Sequence, residues 1–212
     1  PCLAIFAKDK SDMADWTDHT LLTAVKEVRP TILIGVSGQA GLFHNKLLQD
    51  IFDHVDQPII LPLSNPSKQS ECLPQDVYDQ FDHDLFMATG SPFTVVSDDS
   101  ITHVSQCNNL FAFPGIASGM VACKAKSLSQ AMIVAVANKI SQFILSRYAD
   151  SKAITPSLSD LSDVGLSAAT GLIESACATG YARLDQDESM ARLMQSRWDP
   201  HYVDYMFLSD DS

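Results

Sequence analysis

The residues with chemistry to offer in this chain are neutral and polar, and they come in clusters. Asn65 lies in Leu63-Ser64-Asn65-Pro66, Asn108 and Asn109 in Gln106-Cys107-Asn108-Asn109, and a third cluster reads Thr89-Gly90-Ser91-Pro92-Phe93. A side-chain amide has donors and an acceptor without charge, so such loops suit a ribose hydroxyl, a carboxamide or a carboxylate and do not suit proton transfer. Any one of these asparagines reads equally well as a turn former or helix cap. Three such loops at one edge of a sheet would be a ligand site.

The elements that must position them are strands. Residues 31–36 form a continuous apolar run without polar alternation, which predicts a parallel strand covered on both faces. The run passes into Gly35, Gly38 and Gly41, a G-x-x-G-x-x-G spacing that permits positive φ and close backbone approach. This is not the dinucleotide fingerprint G-x-G-x-x-G, and no copy of that fingerprint occurs in the chain. Residues 59–63 and 85–88 are two further strands, each ending in one of the polar clusters. Helical patterns over 45–55 and 74–81 separate them, the second opened by Pro74 in a first turn. Parallel strands joined by helices bring all these loops to the carboxyl edge, where open α/β sheets bind ligands.

An amphipathic helix over 18–28 stops at Arg29-Pro30. Beyond the last polar cluster, the apolar run 110–113 leads to Pro114-Gly115, and long helical patterns cover 128–147 and 158–183, with Ser157 or Ser159 capping the second and 153–156 connecting the two. Their apolar stripes are core faces. The expected fold is therefore α/β: residues 1–127 form part of a doubly wound, Rossmann-like parallel sheet, and residues 128–212 a helical C-terminal extension.

With 212 residues and 46% hydrophobic content, the chain can bury a substantial core. No apolar run approaches the ~20 residues needed to span a bilayer and none reads as a secretory leader, so no membrane partner is expected. A net charge of −12 argues against nucleic acid, whose phosphates need clustered Lys and Arg. Cys2, Cys72, Cys107, Cys123 and Cys177 show no C-x-x-C pair, which fits a reducing compartment, cytoplasm or mitochondrial matrix. Cys107 beside the Asn pair reads as a small packing residue rather than a reactive thiol. His44 reads as a surface histidine at a helix start, and Asp98-Asp99 as a solvated turn rather than a metal site.

The series GVSGQAGLF, LPLSNPS, ATGSPF and QCNNLFAFPGI resembles the malic enzymes in order and interval, closest to their bacterial, NAD-linked members, and the resemblance extends through the helical half into the aromatic segment 198–205. It implies that a parent enzyme oxidises L-malate with NAD or NADP and decarboxylates the product to pyruvate and CO₂, using Mg²⁺ or Mn²⁺ as Lewis acid. It also implies that this chain is a C-terminal fragment of the NAD-binding domain, inactive by itself. The general acid, general base, substrate arginine, metal ligands and glycine fingerprint would then lie upstream of Pro1, leaving no catalytic or metal-ligating residue here, and the NAD or NADP preference would be set at or before Pro1.

Carried over residue by residue, the resemblance puts Val36, Ser37 and Gly38 beside the adenosine half of the cofactor. Ser64, Gly90 and Ser91 come around the dinucleotide, Asn65 and Asn108 at the nicotinamide and malate, and Asn109 beside them. Thr89 stands where many relatives have a smaller residue. The aromatic segment 197–207, with Trp198, Tyr202, Tyr205 and Phe207, is expected to pack on the rest of a larger polypeptide or on another subunit, so a homo-oligomer is expected. Two other readings remain: a non-catalytic folded module that dimerises, and a different nicotinamide-dependent dehydrogenase, against which the SNP and QxNN loops count.

Overall fold

The computed structural model describes residues 7, 9–81, 85–97, 100–149, 151 and 153–197. Cys2, Asp98, Asp99 and the aromatic residues from Trp198 onward lie outside them. The chain forms two compact units, residues 1–109 with 144–158 and residues 110–143 with 159–212.

The first unit carries the sheet. Helix α1 (Leu21–Val28) precedes strand β1 (Ile32–Gly35), and α2 (Asn45–Phe52), β2 (Ile59–Pro62), α3 (Pro74–Gln80) and β3 (Phe86–Thr89) follow in alternation. A two-residue strand β6 (Ser105–Gln106) completes a sheet of order β1-β2-β3-β6, parallel throughout. Helix α1 starts on Thr20, whose hydroxyl accepts from the Thr23 amide, and ends at Arg29 with φ 51° before Pro30. That stop is where proline disfavours a helical predecessor.

All three helices pack on one face. Val25 of α1, Leu47, Leu48, Ile51 and Phe52 of α2 and Val77 of α3 bury against Leu33, Ile60 and Met87 of the strands, with Phe52 stacked on Phe81 at 4.4 Å between ring centroids. The other face is the correction to the expected double coverage of residues 31–36. β1 alternates, with Leu33 and Gly35 buried while Ile32 and Ile34 are 48% and 58% exposed. Among the described residues β1 pairs only with β2, and none of them buries the face that carries Ile32 and Ile34.

Between β3 and β6 lies an antiparallel hairpin, β4 (Thr94–Ser97) and β5 (Ser100–His103), that the sequence analysis did not anticipate.

The second unit is helical: α4 (Phe113–Ala122), α6 (Leu161–Ala178), α7 (Gln186–Gln195) and most of α5 (Gln130–Arg147). Its core is rich in alanine, with Ala122, Ala168, Ala169 and Ala176 around Met132, Leu172, Ile173 and Leu193. α6 follows directly on a 3-10 turn (Leu158–Asp160), and the Asp160 side chain before it makes no cap. α7 begins on Asp185, whose carboxylate accepts from the Glu188 amide at 2.8 Å. No described helix is long and apolar enough to cross a membrane.

Candidate functional site at the carboxyl edge of the sheet

Because β1, β2, β3 and β6 run parallel, residues 36–41, 63–70, 90–93 and 107–109 leave the sheet at one edge, all within the first unit. The loops after β1 and β2 are joined by a side chain the sequence analysis passed over, Glu71. It is fully buried. One carboxylate oxygen accepts from the Ser37 amide at 2.7 Å, from the Ser37 hydroxyl at 2.8 Å and from the Ser64 hydroxyl; the other accepts from the Ser64 amide at 3.3 Å. Ser64 Oγ in turn accepts from the Gly38 amide at 2.8 Å. The backbone carbonyl of Glu71 takes the Phe43 amide, and that of Ser70 the Gly41 amide.

Burial pushes the Glu71 carboxyl upward, but the bonds from Ser64 and Ser37 outweigh it and hold the group down at about 2. The carboxylate is thus ionised at neutral pH, stabilised by hydrogen bonds and with no cationic partner among the described residues. Its neighbour Cys72 shows the opposite balance: burial first, then the charges of Glu71 and Asp76, raise the thiol to about 12.

The glycine loop after β1 is not a phosphate cradle. The amides of Ser37, Gly38, Gln39, Gly41, Leu42 and Phe43 all donate within the protein. Gly38 and Gly41 have φ of 68° and 72°, so glycine there serves the path of the turn. Val36, Ser37 and Gly38 are exposed, with Val36 77% so.

The remaining loops are linked in the same way. Ser91 Oγ donates to Asn65 Oδ1, tying the β3 loop to the β2 loop. Gly90 lies against the Leu63 carbonyl, where an added Cβ would come within 2.1 Å of the oxygen. Thr89 is fully buried and its hydroxyl donates to the Ser91 carbonyl at 2.8 Å, so the larger residue at that position shapes the turn after β3. Gln106 Nε2 donates to the Gly90 carbonyl at 3.2 Å and the Cys107 amide to the Thr89 carbonyl at 2.9 Å. Cys107, Asn108 and Asn109 follow directly and are exposed. Ser64 and Gly90 are buried inside the edge, while Asn65, Asn108 and Asn109 face outward and Ser91 is half-buried.

Away from this chain of loops, His44 precedes α2 and its Nδ1 accepts from the Leu47 amide at 3.3 Å, a cap as its position suggested. Among the described residues the cysteines are free, and no group of three or more His, Cys, Asp or Glu could hold a metal ion.

A parallel sheet with helices between its strands and a continuous polar edge at their carboxyl ends is the architecture of a nucleotide-binding domain. The family described as malic enzyme, NAD binding domain, matches residues 2–177, and the chain belongs to it. It is 34% identical over 206 residues to the NAD-dependent malic enzyme of Pseudomonas aeruginosa (strain UCBPP-PA14), covering 94% of this chain and 36% of that protein. The NAD-dependent malic enzyme of Sodalis glossinidius is 35% identical over 199 residues, covering 91% of this chain and 35% of its own length. The chain thus spans about a third of the length of these curated relatives. The crystal structure of Entamoeba histolytica malic enzyme superposes with a TM-score of 0.63 at 20% identity, over 81% of this chain and 33% of that one, which shows the shared fold.

Proposed function

We propose that this chain forms part of the cofactor and substrate site of an NAD-linked malic enzyme, which oxidises L-malate and releases pyruvate and CO₂. The observation that carries this reading is the unbroken linkage of four strand-exit loops, Ser37–Glu71–Ser64, Asn65–Ser91 and Gln106–Gly90, at the edge where parallel α/β sheets bind nucleotides.

The donor set fits a dinucleotide that needs orientation more than charge. When bound, a nicotinamide supplies the hydride acceptor. This chain's residues do the rest of the binding work. Val36, Ser37 and Gly38 pass the adenosine half through side chains and backbone surface, because the amides of Ser37 and Gly38 are already committed. Ser64 and Gly90, buried, set the floor between the loops, and Ser91 holds the Asn65 amide oxygen so that its NH₂ end is left to turn toward ligand. Asn65 and Asn108 orient the malate carboxylate and the nicotinamide ribose, with Asn109 beside them. NADP as the alternative to NAD, a homo-oligomeric assembly and a cytoplasmic or matrix location belong to the same proposal.

The test is steady-state kinetics of the full-length protein carrying this sequence, with L-malate, Mn²⁺ and NAD or NADP. Malate-dependent reduction of the nicotinamide with one pyruvate formed per hydride transferred is expected; no reduction with either nicotinamide would refute the reading. The 212-residue chain by itself is expected to give no turnover.

A further inference from the structure

The fully buried carboxylate of Glu71 is left over once the site has been described. It touches no surface, yet it accepts four hydrogen bonds from two separate loops. We propose that Glu71 is the positioning residue of the cofactor edge: by accepting from both Ser37 and Ser64 it locks the β1 loop and the β2 loop into the one relative placement that receives the dinucleotide. The proposal rests on the reading of this edge as the nicotinamide site.

The donor arithmetic requires a carboxylate. Ionised, it only accepts, so the hydroxyls of Ser37 and Ser64 must both aim their protons at it. Their lone pairs are then free to accept, and both do: Ser64 Oγ from the Gly38 amide, Ser37 Oγ from the Gln39 amide at 3.1 Å. One charge thus orients two hydroxyls and two amides, along the stretch Ser37, Gly38 and Gln39. Glutamine has the same shape but would point an NH₂ group at the Ser64 amide or at the hydroxyls, setting donor against donor.

Gly35 fits the same design. A Cβ there would stand 2.6 Å from Glu71 Cδ and 2.7 Å from both its Cγ and Phe43 Cζ, so the last residue of β1 lacks a side chain where the Glu71 stem passes. The sheet has made room for a charge inside its own edge.

The test is Glu71→Gln in the full-length protein, read in two ways. Hydrogen exchange without ligand should accelerate at the amides of Ser37, Gly38 and Ser64. KM for the nicotinamide should rise about tenfold or more, as expected for lost bonds to a charged acceptor, while kcat at saturating cofactor stays within about twofold. A purely structural role would lower the folded fraction and hence the apparent kcat, leaving KM alone. Faster exchange with a wild-type KM would overturn the proposal and leave the reading of the site standing. A wild-type protein indifferent to NAD and NADP would overturn both together. Should Glu71→Gln not fold, Glu71→Asp keeps the charge and withdraws it by one methylene; a raised cofactor KM supports the proposal, and an unchanged one overturns it.

Discussion

In the sheet-bearing unit glycine stands where polar loops meet, whereas in the helical unit it stands where helices meet. Gly35 clears the path of a buried carboxylate, and Gly90 lies on the Leu63 carbonyl between two polar loops. In the helical unit Gly115 of α4 faces the Gly165 carbonyl of α6, and Gly119 faces Ala169. Small residues line these contacts within the core, so the helices approach closely there. The same residue type therefore accompanies a polar loop edge in one unit and helix packing in the other. What separates them is the company each keeps: a carboxylate, a side-chain amide and a loop carbonyl in the first, helix backbone and apolar side chains in the second.

Adding one methyl group to each unit breaks the comparison most directly. At Gly90 an added Cβ would meet Leu63 O at 2.1 Å and Leu63 C at 2.7 Å, which side-chain motion cannot relieve. Gly90→Ala is expected to cost about 3 kcal/mol, to lower Tm and to raise KM for the nicotinamide together. At Gly115 the Cβ would lie 2.5 Å from Gly165 O and 2.6 Å from the Ala168 Cβ, and Gly115→Ala is expected to cost about 1–3 kcal/mol. Its Tm should fall while the cofactor KM holds. Equal effects of the two variants on KM would erase the distinction.

Acid separates the units by a different route. The Glu71 carboxyl is held down at about 2 in the folded chain against 4.5 ordinarily, so between those values the unfolded chain binds more protons and stability is lost as the pH falls. The stabilisation is fully present above about pH 4.5 and is lost toward pH 2, about 3 kcal/mol in all by the usual conversion of pKa shift to free energy. Unfolding followed by near-ultraviolet circular dichroism from pH 6 to 2 should show this limb in wild type and a flatter one in Glu71→Gln. Matching acid limbs would mean that the carboxylate is not held as the structure has it.

The strand exits were legible because turn chemistry is local: Gly38 and Gly41 take positive φ, and a polar cluster follows each strand directly. Glu71 was not legible. Lys68-Gln69-Ser70-Glu71 reads as a solvated polar stretch, and what buries the glutamate is Ser37, 34 positions away. The β4–β5 hairpin escaped because its strands are four residues each, with Val96 and Ile101 58% and 69% exposed, so burial leaves no mark on their pattern. Helix α7 did carry readable signals, Asp185 followed three residues later by Glu188 and an apolar stripe of Met190, Leu193 and Met194, but its ten residues are otherwise mostly polar and lie beyond the helical pattern over 158–183. The uncovered face of β1 could not be inferred either: Ile32 and Ile34 are as apolar as Leu33, and only the arrangement of helices decides which of them is buried.

Within the site, Asn108 tests whether the outward-facing amides bind or merely turn the chain. It is exposed and lies just beyond β6, so Asn108→Ala should leave Tm nearly unchanged. Loss of one hydrogen bond to a charged partner is about 1.5–3 kcal/mol, or roughly tenfold to a hundredfold in kcat/KM. The loss should appear in KM for malate. Wild-type kinetics would make Asn108 a turn residue, and a lost fold would make it structural.

The smallest expected effect is the most local. Ser91 Oγ donates to Asn65 Oδ1, and the β3 backbone does not depend on that hydroxyl, because Thr89 Oγ1 bonds the Ser91 carbonyl rather than its side chain. Ser91→Ala therefore removes one neutral hydrogen bond and leaves the turn. Such a bond contributes about 0.5–1.5 kcal/mol, so the Asn65 amide should lose its preferred orientation at a cost of roughly two- to tenfold in KM for the nicotinamide. Stability should barely move, since Asn65 is exposed and its amide stays solvated after the change. Set against Glu71→Gln, this variant ranks two of the ties that connect the β2 loop to its neighbours, one charged and buried, the other neutral and near the surface. If Ser91→Ala raised the cofactor KM as far as Glu71→Gln does, the edge would be organised from its rim inward and the buried carboxylate would hold no special place in it.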